Sequence, residues 1–338
     1  MRPEVSLVIL THRRAALLRR CLESLPREAP GCEGLLLVNG EGQGEEELRA
    51  LAAARWPWLR VLTIPSLPRG AARNRAVRET AGELIYFLDD DTVLPEGFLE
   101  RLKSAAARHP EAPGLGGPNL AAPCAGAFQR AVDLLLRSPI GAGPMRARYC
   151  PVGPERPAAA WSLMLCSLGV RRRAFDAGLR FPDRCASAEE NLLLSRVERA
   201  FGKPVYCPEL VVLHERRGTL AGFCAQVFAS GRGRAQITRL DPRSLQPVTL
   251  APLAFWLYAL CLPWLPRPAW AGAAAYAAAV AAESLRRAVE DPRAGLLLAP
   301  LLPLAHLCYA AGMAAGALEA AVGRPSADVL AGEACAAP

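Results

Sequence analysis

The feature that most constrains this chain is the run Glu83-Leu84-Ile85-Tyr86-Phe87-Leu88 passing straight into Asp89-Asp90-Asp91. The apolar stretch is too short for a helix and rich in β-formers, which predicts a strand buried on both faces. The carboxylates then fall at its C-terminal end, the edge at which open α/β sheets bind ligands. Three adjacent negative charges repel one another unless something positive sits among them. A divalent cation carrying a phosphorylated ligand meets that need, because Mg²⁺ takes one or two carboxylates and completes its shell with water and phosphate oxygens. On this stretch alone a helix cap is an equal reading, with Asp91 or Thr92 capping a helix that begins near Pro95. The rest of the chain decides between them.

Upstream, strand and helix patterns alternate. Val5 to Leu10 reads as a buried strand, followed by the loop Thr11-His12-Arg13-Arg14. Leu17, Leu18, Cys21, Leu22 and Leu25 recur at helical spacing until Pro26. Leu35 to Val38 is a second strand, breaking at Asn39-Gly40. Helix 45–54, strand 60–64 and helix 70–80 then lead into the aspartate strand. Such alternation predicts a mostly parallel sheet covered by helices on both faces, with right-handed crossovers.

These residues together resemble the family 2 glycosyltransferases of the GT-A fold. That family opens with a strand and a Thr-Tyr-Asn-Arg-like loop, here Thr11-His12-Arg13-Arg14. It carries an Ala-Arg-Asn segment before an Ala-x-Gly-Glu strand ending in Asp-x-Asp. The counterparts are Ala72-Arg73-Asn74, Ala81-Gly82-Glu83 and Asp89-Asp90-Asp91. The resemblance implies a nucleotide-sugar site formed by Thr11, Arg13, Asn39, Arg69, Arg73, Asp89 and Asp90. It also implies Mg²⁺ or Mn²⁺ on Asp89 and Asp91. Where the family has an Asp to pair with uracil, Asn39 stands here. An amide donates as well as accepts, so UDP does not follow.

Residues 112–160 are rich in Pro, Gly and Ala, with a helical piece near 128–137, and in similar enzymes this region helps shape the acceptor side. Ser167 to Arg172, then Phe175, Gly178 and Phe181, resemble the family's small-residue, Arg-Arg, Phe, Gly, Phe signature. The family then has Glu-Asp or a close variant opening a helix, its second carboxylate acting as general base. Here Glu190 would hold that role, with Glu189 as the fallback. Without the resemblance, two acids in a first helical turn simply favour the helix dipole. Residues 204–213 read as a strand ending at His214, which in similar enzymes lies near the diphosphate or on the metal. Phe228 to Arg234 reads either as a glycine-and-arginine segment whose freed amides, with Arg232 and Arg234, suit a diphosphate or lipid head group, or equally as a basic membrane-facing helix.

Of 338 residues, 52% are hydrophobic, and the excess lies after about Leu250. Leu250 to Leu265, Trp270 to Ala282 and Gly295 to Leu318 are apolar runs. The last, at 1.5 Å per residue, spans about 36 Å, enough for a hydrocarbon core of about 30 Å, whereas the first two are short and could form a tight hairpin or lie in the interface; a buried soluble helical domain is the alternative for all three. Arg239, Arg243, Arg286, Arg287 and Arg293 fall on one side if all three runs cross, which places the catalytic part in the cytoplasm. The start of the chain enters a strand at once and is expected to stay on that side too. The net charge of +8 suits anionic partners. Only 6% of residues are aromatic, and no motif interleaves them with basic residues, which argues against nucleic acid. Eleven Cys without metal spacing read as reduced, mostly buried thiols.

The expectation is therefore a GT-A catalytic domain over 1–245, a helical membrane region over 246–322 and a disordered tail over 323–338. It would be a metal-dependent, inverting hexosyltransferase at the inner (plasma) membrane. A nucleotide sugar would be the donor and a lipid-linked or membrane-surface glycan the acceptor, as in cell-envelope polysaccharide assembly. The substitutions at Asn39 and Glu190 leave open an inactive nucleotide-sugar-binding scaffold.

Overall fold

The computed structural model describes residues 2–42, 44–123, 125–183 and 187–321; the expected tail lies outside them. Four strands open the chain: β1 (Val5–Thr11), β2 (Cys32–Asn39), β3 (Leu59–Ile64) and β4 (Leu84–Asp89). They are joined through α1 (Ala15–Glu23), α2 (Glu45–Arg55) and α3 (Arg69–Arg78). All pair in parallel, in the order β3-β2-β1-β4. Alternate residues of each strand face opposite ways. Leu7, Ile9, Tyr86 and Leu88 therefore share one core with Leu18, Leu22, Leu99 and Leu102. Val8, Ile85 and Phe87 share the other with Ala72, Ala76, Leu193 and Val197. Two buried faces are what the continuous apolar runs required.

The chain continues through β5 (Thr92–Val93), α4 (Phe98–Arg108), β6 (Gly114–Gly116), β7 (Asn119–Ala121), α5 (Ala127–Arg137), β8 (Arg156–Pro157) and β9 (Leu168–Arg171). Next come α6 (Arg172–Asp176), α7 (Glu189–Phe201), β10 (Val205–Tyr206) and β11 (Val212–His214). The main sheet has eight strands in the order β3-β2-β1-β4-β9-β6-β10-β8, with β9 antiparallel to both β4 and β6. A second sheet, β5-β11-β7, begins three residues beyond β4. Arg172 fastens α6 to the loop before β4, donating to Gly82 O at 2.7 Å and Thr80 O at 2.7 Å. Phe87, Phe175 and Phe181 meet in one aromatic cluster.

The structure decides two open alternatives and changes one expectation. Asp91 and Thr92 cap no helix: α4 begins at Phe98, behind Gly97 in the left-handed conformation (φ 70°). Residues 204–213 form two short strands in different sheets, because Pro208 and Glu209 turn the chain between them. The segment 228–234 lies inside α8 (Leu220–Leu240), so its amides are taken up by helical hydrogen bonds and are not free to bind an anion.

α8 is followed by α9 (Ala251–Cys261), α10 (Trp270–Glu290) and α11 (Pro292–Ala321). Among the described residues, Pro247–Trp264 and Pro292–Glu319 are long and apolar enough to cross a membrane. The run 270–282 is not, because it is the first half of a helix that goes on to carry Glu283, Arg286, Arg287 and Glu290. Those carboxylates also pair with Arg286 and Arg287, which the count of basic residues alone had overlooked. Of the two candidate spans, 39% of the second is buried against 11% of the first. Leu298, Leu301, Leu302 and Ala305 of α11 join Ala131, Leu134 and Leu135 of α5 and Phe223 of α8 in one apolar cluster. Arg130 of α5 pairs at 2.7 Å with Asp291, just before α11, and Arg232 of α8 pairs at 2.8 Å with Glu319 near its end. α11 therefore packs along part of its length against α5 and α8. α9 buries no residue. Together with the turn after it, α9 leaves Leu257, Leu260, Trp264 and Trp270 exposed.

Candidate active site at the C-terminal end of β4

β4 delivers Asp89 to the mouth of the sheet, its side chain one-third exposed (34%). Asp90 turns inward and is buried. It accepts from the Thr11 hydroxyl at 2.8 Å and lies 3.3 Å from Arg14 Nη1, so it braces β4 against the end of β1. Burial raises its pKa, with Thr11 and Arg14 only partly offsetting the effect. Asp91 is held by Arg14 at 3.0 Å. Burial opposes its charge, but His214, Arg14 and Arg217 outweigh that and pull the carboxyl down to about 2. The three carboxylates thus have three environments.

His214 arrives through strand register. β11 runs antiparallel to β5 with His214 opposite Thr92, and Glu215 N donates to Asp91 O at 3.2 Å. This brings His214 Nε2 to 3.2 Å from Asp91 Oδ1. The distance is that of an ion pair, but the alignment is not that of a hydrogen bond, since Asp91 Oδ1 and His214 Nδ1 are both buried without a hydrogen-bond partner. Ligand atoms of Asp89, His214 and Cys166 lie within 4.8 Å of one another. Cys166 is fully buried and its thiol is pushed well above the usual range, so it stays neutral and is no donor for a hard cation. Within that set Asp89 and the imidazole of His214 are the donors a divalent cation accepts; Asp91 lies outside the set and reaches it only through His214, and its orphaned Oδ1 and the orphaned Nδ1 of His214 leave polar atoms for such an ion to engage.

Across the mouth, α3 is stapled to the chain ahead of α7. Asn74 Nδ2 donates to Phe181 O at 2.9 Å and to Asp183 Oδ1 at 2.9 Å, and Asn74 Oδ1 accepts from Phe181 N at 3.0 Å. Gly70 allows the approach, since a Cβ there would stand 2.0 Å from Pro182 O. The staple sets buried Arg73 between Asp89, at 3.5 Å, and Glu189, with which it forms a close ion pair. Glu190, next to it, is also buried and, among the described residues, has no such pair. It accepts from Asn191 Nδ2 at 2.8 Å. Burial, and then the charge of Glu189, raise its pKa, while Arg148 and Arg73 partly offset them. A buried carboxylate with a raised pKa is suited to accepting a proton near neutral pH.

The remaining residues singled out by sequence divide. Asn39 has both ends of its amide engaged by the loop before α3, donating to Leu67 O and accepting from Leu67 N, each at 2.8 Å. Arg69 is exposed at the start of α3. Arg13 takes a left-handed φ of 54°, and it is Arg14 that reaches the aspartates. Arg232 faces Glu319, and buried Arg234 faces Tyr309 of α11 and Glu190. Sequence reasoning missed Arg14, Asn74 and Arg148. Arg148 donates to Trp161 O at 2.8 Å and to Asn191 Oδ1 at 2.7 Å. Asn74 was visible in the Ala-Arg-Asn segment; Arg148 left no signal.

Residues 6–114 match the model of glycosyl transferase family 2. Over 103 residues the chain is 31% identical to the uncharacterized glycosyltransferase YwdF of Bacillus subtilis (strain 168). That match covers 29% of this chain and 37% of the relative, so it spans little more than a third of that protein's length. Among solved structures, the fold is similar to that of the mannosyltransferase PcManGT from Pyrobaculum calidifontis, in complex with GDP-Man and Mn²⁺. The TM-score is 0.56 at 17% identity, covering 94% of this chain and 87% of the other. It is also similar to S. aureus TarS 1–349 in complex with UDP-GlcNAc, with TM-score 0.51 at 12% identity, covering 96% and 93%.

Proposed function

We propose, from a chain that carries the family 2 glycosyltransferase signature on a GT-A fold, that this protein transfers a sugar from a nucleotide diphosphate to an acceptor hydroxyl with inversion. The observation that carries the reading is the pairing of two sites across one mouth. Buried Arg73 links Asp89, which lies beside His214 and near the orphaned Oδ1 of Asp91, to Glu189, and the next residue, Glu190, is buried. Arg69, Arg73 and Asp89 line the donor side, beside the turn at Arg13; Thr11 with Asp90, and Asn39 with Leu67, hold its walls through their own hydrogen bonds. Asp89, Asp91 and His214 would hold Mg²⁺ or Mn²⁺, which supplies positive charge against the departing diphosphate. Arg73 keeps Asp89 and Glu189 in place. Glu190 accepts the proton of the acceptor hydroxyl as that oxygen attacks the anomeric carbon and the bond to the diphosphate breaks on the opposite face. Glu189, committed to Arg73, orients the pair.

The acceptor is a lipid-linked or membrane-surface glycan. Support comes from the apolar surface of α9 and its following turn, where Leu260 is 67% and Trp264 82% exposed. Tryptophan and leucine beside Arg267 suit the interface of an anionic leaflet. In this reading residues 1–245 are the catalytic part, cytoplasmic, and 246–322 seat it on the inner membrane without a crossing by α11.

The test incubates the full chain in detergent with UDP-GlcNAc, GDP-mannose and other nucleotide sugars, Mg²⁺ or Mn²⁺, and membrane extract. Metal-dependent release of a nucleoside diphosphate, with labelled sugar in the extract, is expected. A chain that binds one of these donors yet never releases its diphosphate would be the scaffold, and the proposal would fail.

A further inference from the structure

α8 lies between the carboxylates of α7 and the C-terminal helices, and glycine lines both of its contact faces. On one face the Ser187 hydroxyl donates to Ala229 O at 2.9 Å, and a Cβ on Gly233 would stand 2.0 Å from Ser187 Oγ. Ser187 precedes Ala188, whose φ of 62° is left-handed backbone that alanine rarely adopts. Ala188 in turn precedes Glu189 and Glu190. A residue in that conformation persists only where its surroundings hold it. Here the hold comes from α8.

On the other face the backbones of α8 and α11 touch with no side chain between them. A Cβ on Gly231 would lie 2.1 Å from Tyr309 O, one on Gly312 2.1 Å from Phe228 O, and one on Gly316 2.8 Å from Arg232 O. The Arg232–Glu319 pair closes the far end of this seam at 2.8 Å. Helices packed so closely through small residues have no slack to take up a displacement. Any shift of α11 must therefore move α8, and with it the Ser187–Ala188 turn.

We infer that α11 is a positioning element of the transfer site: through its glycine seam with α8 it sets the turn that aims Glu190, and Gly312, Gly316, Gly233 and Ser187 are positioning residues. The inference rests on the assignment of Glu190 made above. The C-terminal helices are then part of the machinery and not a detachable anchor. The body that sits on the membrane is the body that holds the proton acceptor.

Two variants of the full chain test this, Gly312→Ala and Ser187→Ala, with Leu307→Ala on the exposed side of α11 as control. The first readout, amide hydrogen exchange without substrate, does not depend on activity. Faster exchange over 188–194 in both variants is expected, with β1–β4 unchanged. Exchange that rises only within α8 and α11, or not at all, would overturn the inference. The second readout is steady-state transfer from whichever nucleotide sugar the wild type uses. A fall in kcat of about 10²-fold is expected from a misplaced catalytic group, with the donor KM held within about twofold. Unchanged kcat in both variants would also overturn it. If Gly312→Ala loosens the whole sheet, Ser187→Ala decides, since it removes one hydrogen bond and adds no bulk. A wild type that transfers nothing defeats the transferase reading, while the exchange result still decides the seam.

Discussion

Replacing Glu190 by glutamine keeps the shape of the side chain and removes its ability to take a proton. Loss of a general base costs about 10²–10⁴-fold in rate, or about 2.7–5.4 kcal/mol of transition-state stabilisation. The environment separates this effect from any effect on folding. Burial and the charge of Glu189 raise the folded-state pKa of Glu190 above 4.5, so the folded state favours its protonated form. That contribution to stability is fully present below the unfolded pKa and is lost as pH rises through the folded one. At neutral pH the ionised carboxylate is therefore a burden on the fold, and Glu190→Gln should melt no lower than the wild type. Glu189→Gln is the opposite case. It leaves Arg73 with one carboxylate fewer in a buried site, and breaking such a pair costs about 3–5 kcal/mol. The assay measures kcat between pH 5 and 9 alongside thermal melting. Wild-type kcat should fall on the acid side with an apparent pKa above 4.5, and that limb should vanish in Glu190→Gln. A Glu190→Gln protein with wild-type kcat, next to a Glu189→Gln protein that is stable and inactive, would refute the reasoning and move the base by one residue.

Three further outcomes are expected. Asp89→Ala and Asp91→Ala should each abolish transfer, and EDTA should do so reversibly in the wild type; full activity in EDTA with no metal by elemental analysis would remove the cation from the mechanism. Asn74→Ala leaves the buried N–H and C=O of Phe181 unpaired, which should cost about 2–4 kcal/mol in urea unfolding; an unchanged midpoint would show that the staple carries no weight. Leu257→Ser, Leu260→Ser and Trp264→Ser together should release the protein from anionic vesicles in flotation, because each large apolar side chain lost from a lipid contact is worth about 1.5–3 kcal/mol; undiminished flotation would move the membrane contact elsewhere.

Much of the sheet was readable before any coordinates. β1 to β4 are short apolar runs bounded by Pro, Gly and Asn, and both their period and their breakers are local properties. The placing of Asp89 at a strand end followed from that pattern; the two glutamates in the first turn of α7 were placed by the family resemblance. Other features were settled by contacts between residues far apart in the chain. His214 meets Asp91 because β11 pairs antiparallel with β5, and a one-residue slip in that pairing would have turned it to the other face. Arg14, not Arg13, reaches the aspartates because the chain turns at Arg13. Asn39 spends its amide on Leu67.

The glycines of 228–234 and the apolar run 295–318 were the hardest to read. Glycine frees an amide in a loop and admits a neighbouring backbone in a helix, and one sequence is compatible with both. Leucine and alanine leave water for lipid or for a protein core with similar gains, so hydropathy along the chain cannot say which partner covers them. For one face of that run the partners are α5 and α8, whose own sequences lie elsewhere in the chain and which meet α11 only in the folded structure.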